Sequence, residues 1–164
     1  MKFIFLIAFC IVSTTVLAQI DTTTPPYKRF PTLPPIQLLL SDSTTKFTKD
    51  DFSKKKPVLL MLFSPDCSHC QKTAEEMVEN KEKLGGLQVV MATLHSIEKM
   101  NDFITTYRLN EVPGLVIGKD IYYILPGFFN MKSLPFNAFY NKKGELIRGF
   151  EGSMNLERIL QQFK

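Results

Sequence analysis

Six consecutive apolar residues, Val58-Leu59-Leu60-Met61-Leu62-Phe63, run through a short Ser-Pro-Asp turn into Cys67-Ser68-His69-Cys70. An uninterrupted apolar run has no polar face, so it suits a strand covered on both sides of a sheet. A Cys-x-x-Cys placed where such a strand gives way to a helix sets its first sulfur among the free backbone N–H groups of the first turn. The partial positive charge there favours a thiolate, the form of cysteine that acts as a nucleophile. The second sulfur lies one turn on, close enough to close a disulfide, so the pair can pass between dithiol and disulfide through a mixed disulfide. The chemistry expected of this chain is redox chemistry.

The residues around the motif extend the pattern. Ala74, Met77, Val78 and Lys81 recur at helical spacing, and Gly85-Gly86 ends the helix. Leu87 to Leu94 reads as a second apolar strand, which makes a strand, helix, strand unit and therefore a parallel pair joined by a right-handed crossover. Ser96 caps a second helix that runs to about Arg108, Val112 to Ile117 reads as a short strand, and Ile121 to Leu125 as an apolar helical or extended piece before Pro126-Gly127. Asn137 to Tyr140 and Glu145 to Phe150 flank a tight Asn141-Lys142-Lys143-Gly144 turn, so they pair antiparallel, and Asn155 to Phe163 closes the chain as a helix. Ahead of the central run, Ile36 to Leu40 and Thr45 to Phe47 read as a short hairpin, and Thr48 caps a helical turn over residues 49–52.

A length of 164 residues suits one domain. Met1-Lys2, the apolar stretch Phe3 to Val12 and the small-residue end at Ala18 match the three regions of a secretory signal, so residues 1–18 are expected to be removed. The apolar stretch falls short of the roughly 20 residues that span a bilayer, and Phe9 before Cys10 stands where a bacterial lipoprotein signal wants a small residue. Removal leaves Cys67 and Cys70 as the sole cysteines, in a periplasmic or other extracytoplasmic compartment that permits disulfides. Residues 19–35, rich in Thr and Pro, read as an extended tether that does not pack, and residues 36–164 as the domain. The formal charge of +4 is too small an excess to argue for nucleic acid, and Lys54-Lys55-Lys56 reads as a solvated turn.

The order of elements, the segment Phe63-Ser64-Pro65-Asp66-Cys67-Ser68-His69-Cys70 and the segment Ser133-Leu134-Pro135-Phe136 before the final hairpin together resemble the thioredoxin superfamily. The N-terminal hairpin and the export signal are most similar to its extracytoplasmic TlpA/ResA-like branch, and the resemblance covers about Pro35 to Lys164. It implies an α/β thioredoxin fold, a central mixed β-sheet flanked by helices with an N-terminal β-hairpin extension. It also implies that Cys67 attacks, that Cys70 resolves, and that Pro135 is cis and lies against the sulfurs. Leu134 is then the residue whose backbone pairs with an extended substrate, with Pro65, Asp66 and Ser68 completing the substrate-binding surface. The implied partners are client proteins with thiols or disulfides and a membrane redox donor; the chain is expected to be a monomer and to need no cofactor beyond the Cys67–Cys70 disulfide.

His69 is the residue expected to tune the pair, because an imidazole near the helix start stabilises the Cys67 thiolate and raises the reduction potential. Cys-x-His-Cys also resembles the active sites of DsbA and protein disulfide isomerase, with potentials of about −120 and −180 mV against about −270 mV for thioredoxin. His69 thus points to oxidation or isomerisation, whereas the wider resemblance implies reduction of clients. The chain departs from the family at three places. Asp66 replaces the usual tryptophan before the first cysteine, and its charge opposes the thiolate. Met61 stands at the position of the buried acid of thioredoxins, and Thr73 at that of the carboxylate of ResA-like proteins. Glu75 and Glu76 read as solvated helix-face residues, which leaves water or His69 to carry the proton. Cys67, His69, Cys70 and His95 have the donor types for zinc or copper, but a helix-start pair holds its sulfurs for a disulfide and no metal site is expected. Phe128, Phe129, Phe136 and Phe139 read as core more readily than as a client-facing surface. A different class of function is a thioredoxin-fold binding module whose disulfide is static.

Overall fold

Every residue of β3 (Val58–Leu62) is buried, as an apolar run without a polar face requires. In the computed structural model, which describes residues 23–164, β3 lies inside a seven-stranded sheet. Its neighbours are β4 (Gln88–Thr93), parallel, and β6 (Phe136–Tyr140), antiparallel. β5 (Val116–Asp120) extends the parallel side, and the hairpin of β1 (Gln37–Leu40) and β2 (Lys46–Thr48) is added antiparallel beyond it. β7 (Leu146–Glu151) pairs antiparallel with β6 at the other edge, giving the order β2-β1-β5-β4-β3-β6-β7. The sheet is mixed, with the N-terminal hairpin as an extension, as the resemblance implied.

Alternation along β3 divides the core in two. Leu59, Met61 and Phe63 face the layer of α2 (Ser68–Glu79), α3 (Ile97–Thr106) and α5 (Leu156–Gln161), meeting Met77, Met100, Phe103 and Ile159. Val58, Leu60 and Leu62 belong to the opposite cluster with Leu125 and Phe129 of α4 (Ile124–Phe129). The helix starts are capped as the sequence indicates: Ser96 Oγ accepts the Lys99 N–H, and the Asn155 side chain accepts the Arg158 N–H. Phe129, Phe136 and Phe139 are core residues.

Three expectations are corrected. The short strand at residues 112–117 begins later and forms β5, because Gly114 at φ +74° and a Leu115 N–H to Val112 O bond occupy the chain with a turn first. Pro126 does not end the following apolar piece: it sits in the first turn of α4, where its missing N–H would have had no helical partner. The segment read as an unpacked tether folds onto the domain from α1 (Pro26–Arg29) onward. The Tyr27 ring lies 5.5 Å from Phe129 and 5.8 Å from Phe136 between centroids, Leu33 is buried, and its N–H donates to Gly144 O at 3.1 Å. Apolar side chains spaced between the prolines outweigh the tether-like composition. Residues 1–18 and the first part of the tether lie outside the described residues. Among the described residues no helix is long and apolar enough to cross a membrane. Tyr27→Ala is expected to cost about 1–3 kcal/mol in urea unfolding; an unchanged midpoint would show that the N-terminal segment adds nothing to the domain.

Candidate active site

The C-terminal ends of the parallel strands β3, β4 and β5 gather at one edge of the sheet, and the candidate residues are there. Phe63 prolongs β3 by donating its N–H to Ala92 O. The chain then turns: Ser64 O accepts the Cys67 N–H at 3.1 Å, and Ser64 Oγ accepts the Asp66 N–H at 3.2 Å. Pro65 is buried within this turn and its carbonyl accepts from Gln71 Nε2 at 2.8 Å, so it shapes the loop and offers no surface to a client, a correction to its expected role. Cys67 is the N-cap of α2, its carbonyl accepting the Gln71 N–H at 3.0 Å, and Ser68 is exposed in the first turn.

The two sulfurs sit in unlike environments. Cys67 is half-buried, whereas Cys70 is fully buried at 0% exposure, and both are free thiols. Burial first, and then the hydrogen bond to Cys67, push the Cys70 thiol up to about 12; the Ser64 backbone N–H, which donates to this sulfur, works in the opposite direction. Cys67 Sγ lies 3.8 Å from the Leu134 carbonyl oxygen. The Leu134–Pro135 bond is cis, Pro135 is buried, and Leu134 is half-buried. The turn brings Cys67, Cys70, Leu134 and Pro135 together, as the sequence predicted.

Other expectations change. Asp66 is exposed, but it is ion-paired with Lys99 of α3, whose hydrogen bond holds the Asp66 carboxyl below the usual carboxylate range. Its charge is therefore matched by a cation and does not simply oppose the thiolate. His69 is exposed, and its imidazole has no hydrogen-bond partner among the described residues. Met61 is fully buried and Thr73 spends its hydroxyl on the His69 carbonyl at 2.9 Å, so neither substitutes for a buried acid. Glu76 is not merely solvated: its Oε2 accepts the Leu156 N–H at 2.8 Å, tying α2 to the start of α5.

A residue at the site that the motif did not point to is His95. It follows β4 at the same sheet edge, and its Nε2 lies 2.9 Å from Ser64 Oγ. The available signal was its position just past an apolar strand running parallel to the one that precedes the cysteines. His95 also borders a cavity of about 70 Å³ with Leu62, Asp120, Leu125, Met131 and Leu134. Among the described residues no group of three His, Cys, Asp or Glu side chains forms a metal-binding arrangement.

Comparison with known proteins agrees with this geometry. Residues 51–164 match the family described as Thioredoxin-like domain. The chain belongs to the thioredoxin-like family. No curated protein sequence matches it. Among solved structures, a secreted Mycobacterium tuberculosis disulfide oxidoreductase homologous to E. coli DsbE is 16% identical, with a TM-score of 0.65 over 78% of this chain and 93% of that one. The exposed lipoprotein thioredoxin Etrx1 of Streptococcus pneumoniae is 24% identical, with a TM-score of 0.60 over 76% of this chain and 94% of that one. StoA of Bacillus subtilis is 17% identical, with a TM-score of 0.60 over 80% of this chain and 98% of that one. At these identities the likeness establishes the thioredoxin fold. The thioredoxin-like chain thus carries its cysteine pair at the helix start and its cis-proline beside it, in a fold shared with these proteins.

Proposed function

We propose that the protein is an exported thiol–disulfide oxidoreductase that reduces disulfides in client proteins. The observation that carries this reading is the inequality of the sulfurs: Cys67 half-buried at a helix N-terminus, Cys70 buried beneath it and held as a thiol at neutral pH. The Cys67 thiolate attacks a client disulfide, a Cys67–client S–S bond forms, and one client sulfur leaves as a thiolate and takes up a proton. Cys70 then gives up its proton and attacks the Cys67 sulfur; the Cys67–Cys70 disulfide forms and the second client sulfur leaves reduced. Two electrons have passed to the client, and a membrane redox donor returns them. Leu134, whose carbonyl lies near Cys67, presents backbone to the extended client, and Pro135 supports it. Membership of the thioredoxin-like family, the secreted or exposed neighbours and the export signal read from residues 1–18 support an extracytoplasmic reductase. An exposed His69 without a partner exerts a screened influence, which weakens the argument for an oxidant.

Direction is tested by comparing two assays on the mature protein. Reduction of insulin with dithiothreitol as electron source is expected to accelerate at least about tenfold, and oxidative refolding of reduced ribonuclease is expected to be unaffected. Acceleration of refolding alone would reverse the direction, and no effect in either assay would favour a binding module with a static disulfide.

A further inference from the structure

With Met61 and Thr73 where relatives carry carboxylates, the groups of other residues that act on the Cys70 thiol are Cys67 and the Ser64 amide. Ser64 reaches the pair at more than one point. Its backbone N–H donates to the Cys70 sulfur, its carbonyl accepts the Cys67 N–H at 3.1 Å, and its hydroxyl accepts the Asp66 N–H at 3.2 Å. The same hydroxyl is 2.9 Å from His95 Nε2. One serine thus connects His95 to both cysteines, while His69, which lies between those cysteines in sequence, has no partner among the described residues.

We propose that His95, acting through Ser64, is the positioning residue that sets the redox poise of the Cys67–Cys70 pair and favours its reduced form as the imidazole gains a proton. The inference rests on the thiol–disulfide reading above. When the imidazole is neutral, the Ser64 hydroxyl can donate to Nε2. When it is protonated, Nε2–H must donate to Ser64 Oγ, so the hydroxyl becomes an acceptor and a cation stands against the residue that bonds both cysteines. That cation stabilises a thiolate in the reduced state and finds no charge to stabilise in the neutral disulfide. By linkage, whatever protonates the ring makes the pair easier to reduce, and a pair in its reduced form holds that proton more tightly.

The charged and titratable groups around His95 come from each neighbouring element. Asp66, in the turn before α2, is attracted by the His95 cation, and Lys99 of α3 pairs with Asp66. Asp120, at the end of β5, borders the same cavity and accepts the Leu125 N–H through Oδ2. Cys67 and Cys70 complete the set. Of these, Asp66 and Lys99 are already paired with each other.

The test equilibrates the mature protein with reduced and oxidised glutathione at pH 5.5 and pH 8, followed by alkylation and mass measurement. Comparing a variant with the wild type at each pH cancels the ionisation of glutathione itself. At pH 5.5 His95→Gln is expected to be about three- to tenfold harder to reduce than the wild type, tenfold being about 30 mV for this two-electron couple. At pH 8 the two are expected to agree within about twofold. Ser64→Ala, which keeps the ring and removes its contact, is expected to behave like His95→Gln and decides the matter should His95→Gln fail to fold. His95→Arg is expected to make the pair easier to reduce at pH 8, since it keeps the cation at all pH values. His69→Ala is expected to stay within about twofold of the wild type at both pH values. A pH-dependent difference that appears in His69→Ala and is missing from His95→Gln and Ser64→Ala would overturn the proposal. A wild-type pair that never equilibrates with glutathione would overturn both this inference and the thiol–disulfide reading; variants that all titrate alike would overturn this inference alone.

Discussion

Cys70→Ser is expected to end turnover and to accumulate clients on Cys67 as mixed disulfides. Cys67 remains half-buried at the start of α2, with its sulfur near the Leu134 carbonyl, so the first attack is preserved. The second attack is lost because a serine hydroxyl does not ionise near neutral pH and makes no S–S bond. Steady-state reduction should fall by more than about a hundredfold, with mixed disulfides visible on non-reducing gels and dissolved by dithiothreitol. Cys67→Ser should be equally inactive and trap nothing. The double result matters, because a static binding module traps no client through either variant, and trapping through Cys67→Ser would assign the roles of the sulfurs the other way round.

At pH 7 iodoacetamide is expected to modify Cys67 of the reduced protein at least about a hundredfold faster than Cys70. With the Cys70 thiol pushed up to about 12, chiefly by burial, its thiolate fraction at pH 7 is about one in 100,000. Full burial also closes the path of the reagent. In Cys67→Ser the alkylation rate of Cys70 should keep rising beyond pH 10, since burial remains when the bond to Cys67 is gone. A thiol whose folded value lies above its unfolded one remains neutral in the fold while the unfolded chain ionises. The stability this thiol lends the reduced protein is therefore full below about pH 9, the ordinary value, and falls as pH climbs toward about 12. The disulfide form has no such loss. Peptide mapping after brief labelling measures the ratio, and equal labelling of the two cysteines at pH 7 would contradict the assigned asymmetry.

Much of the fold was legible because its central pieces carry strong, local signals. A fully apolar β3, a Cys-x-x-Cys at a helix start, a proline before the last hairpin and a four-residue turn each allow few structures. The tether-like composition of residues 19–35 misleads because it counts prolines and threonines, whereas Tyr27 and Leu33 decide the outcome by packing against residues more than a hundred positions away. Helix α4 was cut short for a related reason: a proline breaks a helix interior but not its first turn, and only the structure fixes where that turn begins.

The site divides in the same way. Cys67, Cys70, Leu134 and Pro135 come together through two compact motifs, each readable over a few residues. His69 drew attention by adjacency in sequence, yet adjacency along the first turn of a helix leaves it exposed. His95 and Lys99 reach the same turn from β4 and α3, 31 and 33 residues away from their partners Ser64 and Asp66, and no local pattern announces either contact.

Whether Cys67 and Cys70 cycle is read most directly from the reduction potential of the mature protein, titrated in dithiothreitol and glutathione buffers and followed by thiol alkylation. A reversible two-electron transition is expected nearer the thioredoxin value of about −270 mV than the isomerase value of about −180 mV. A pair that stays oxidised in every buffer of physiological poise would contradict it.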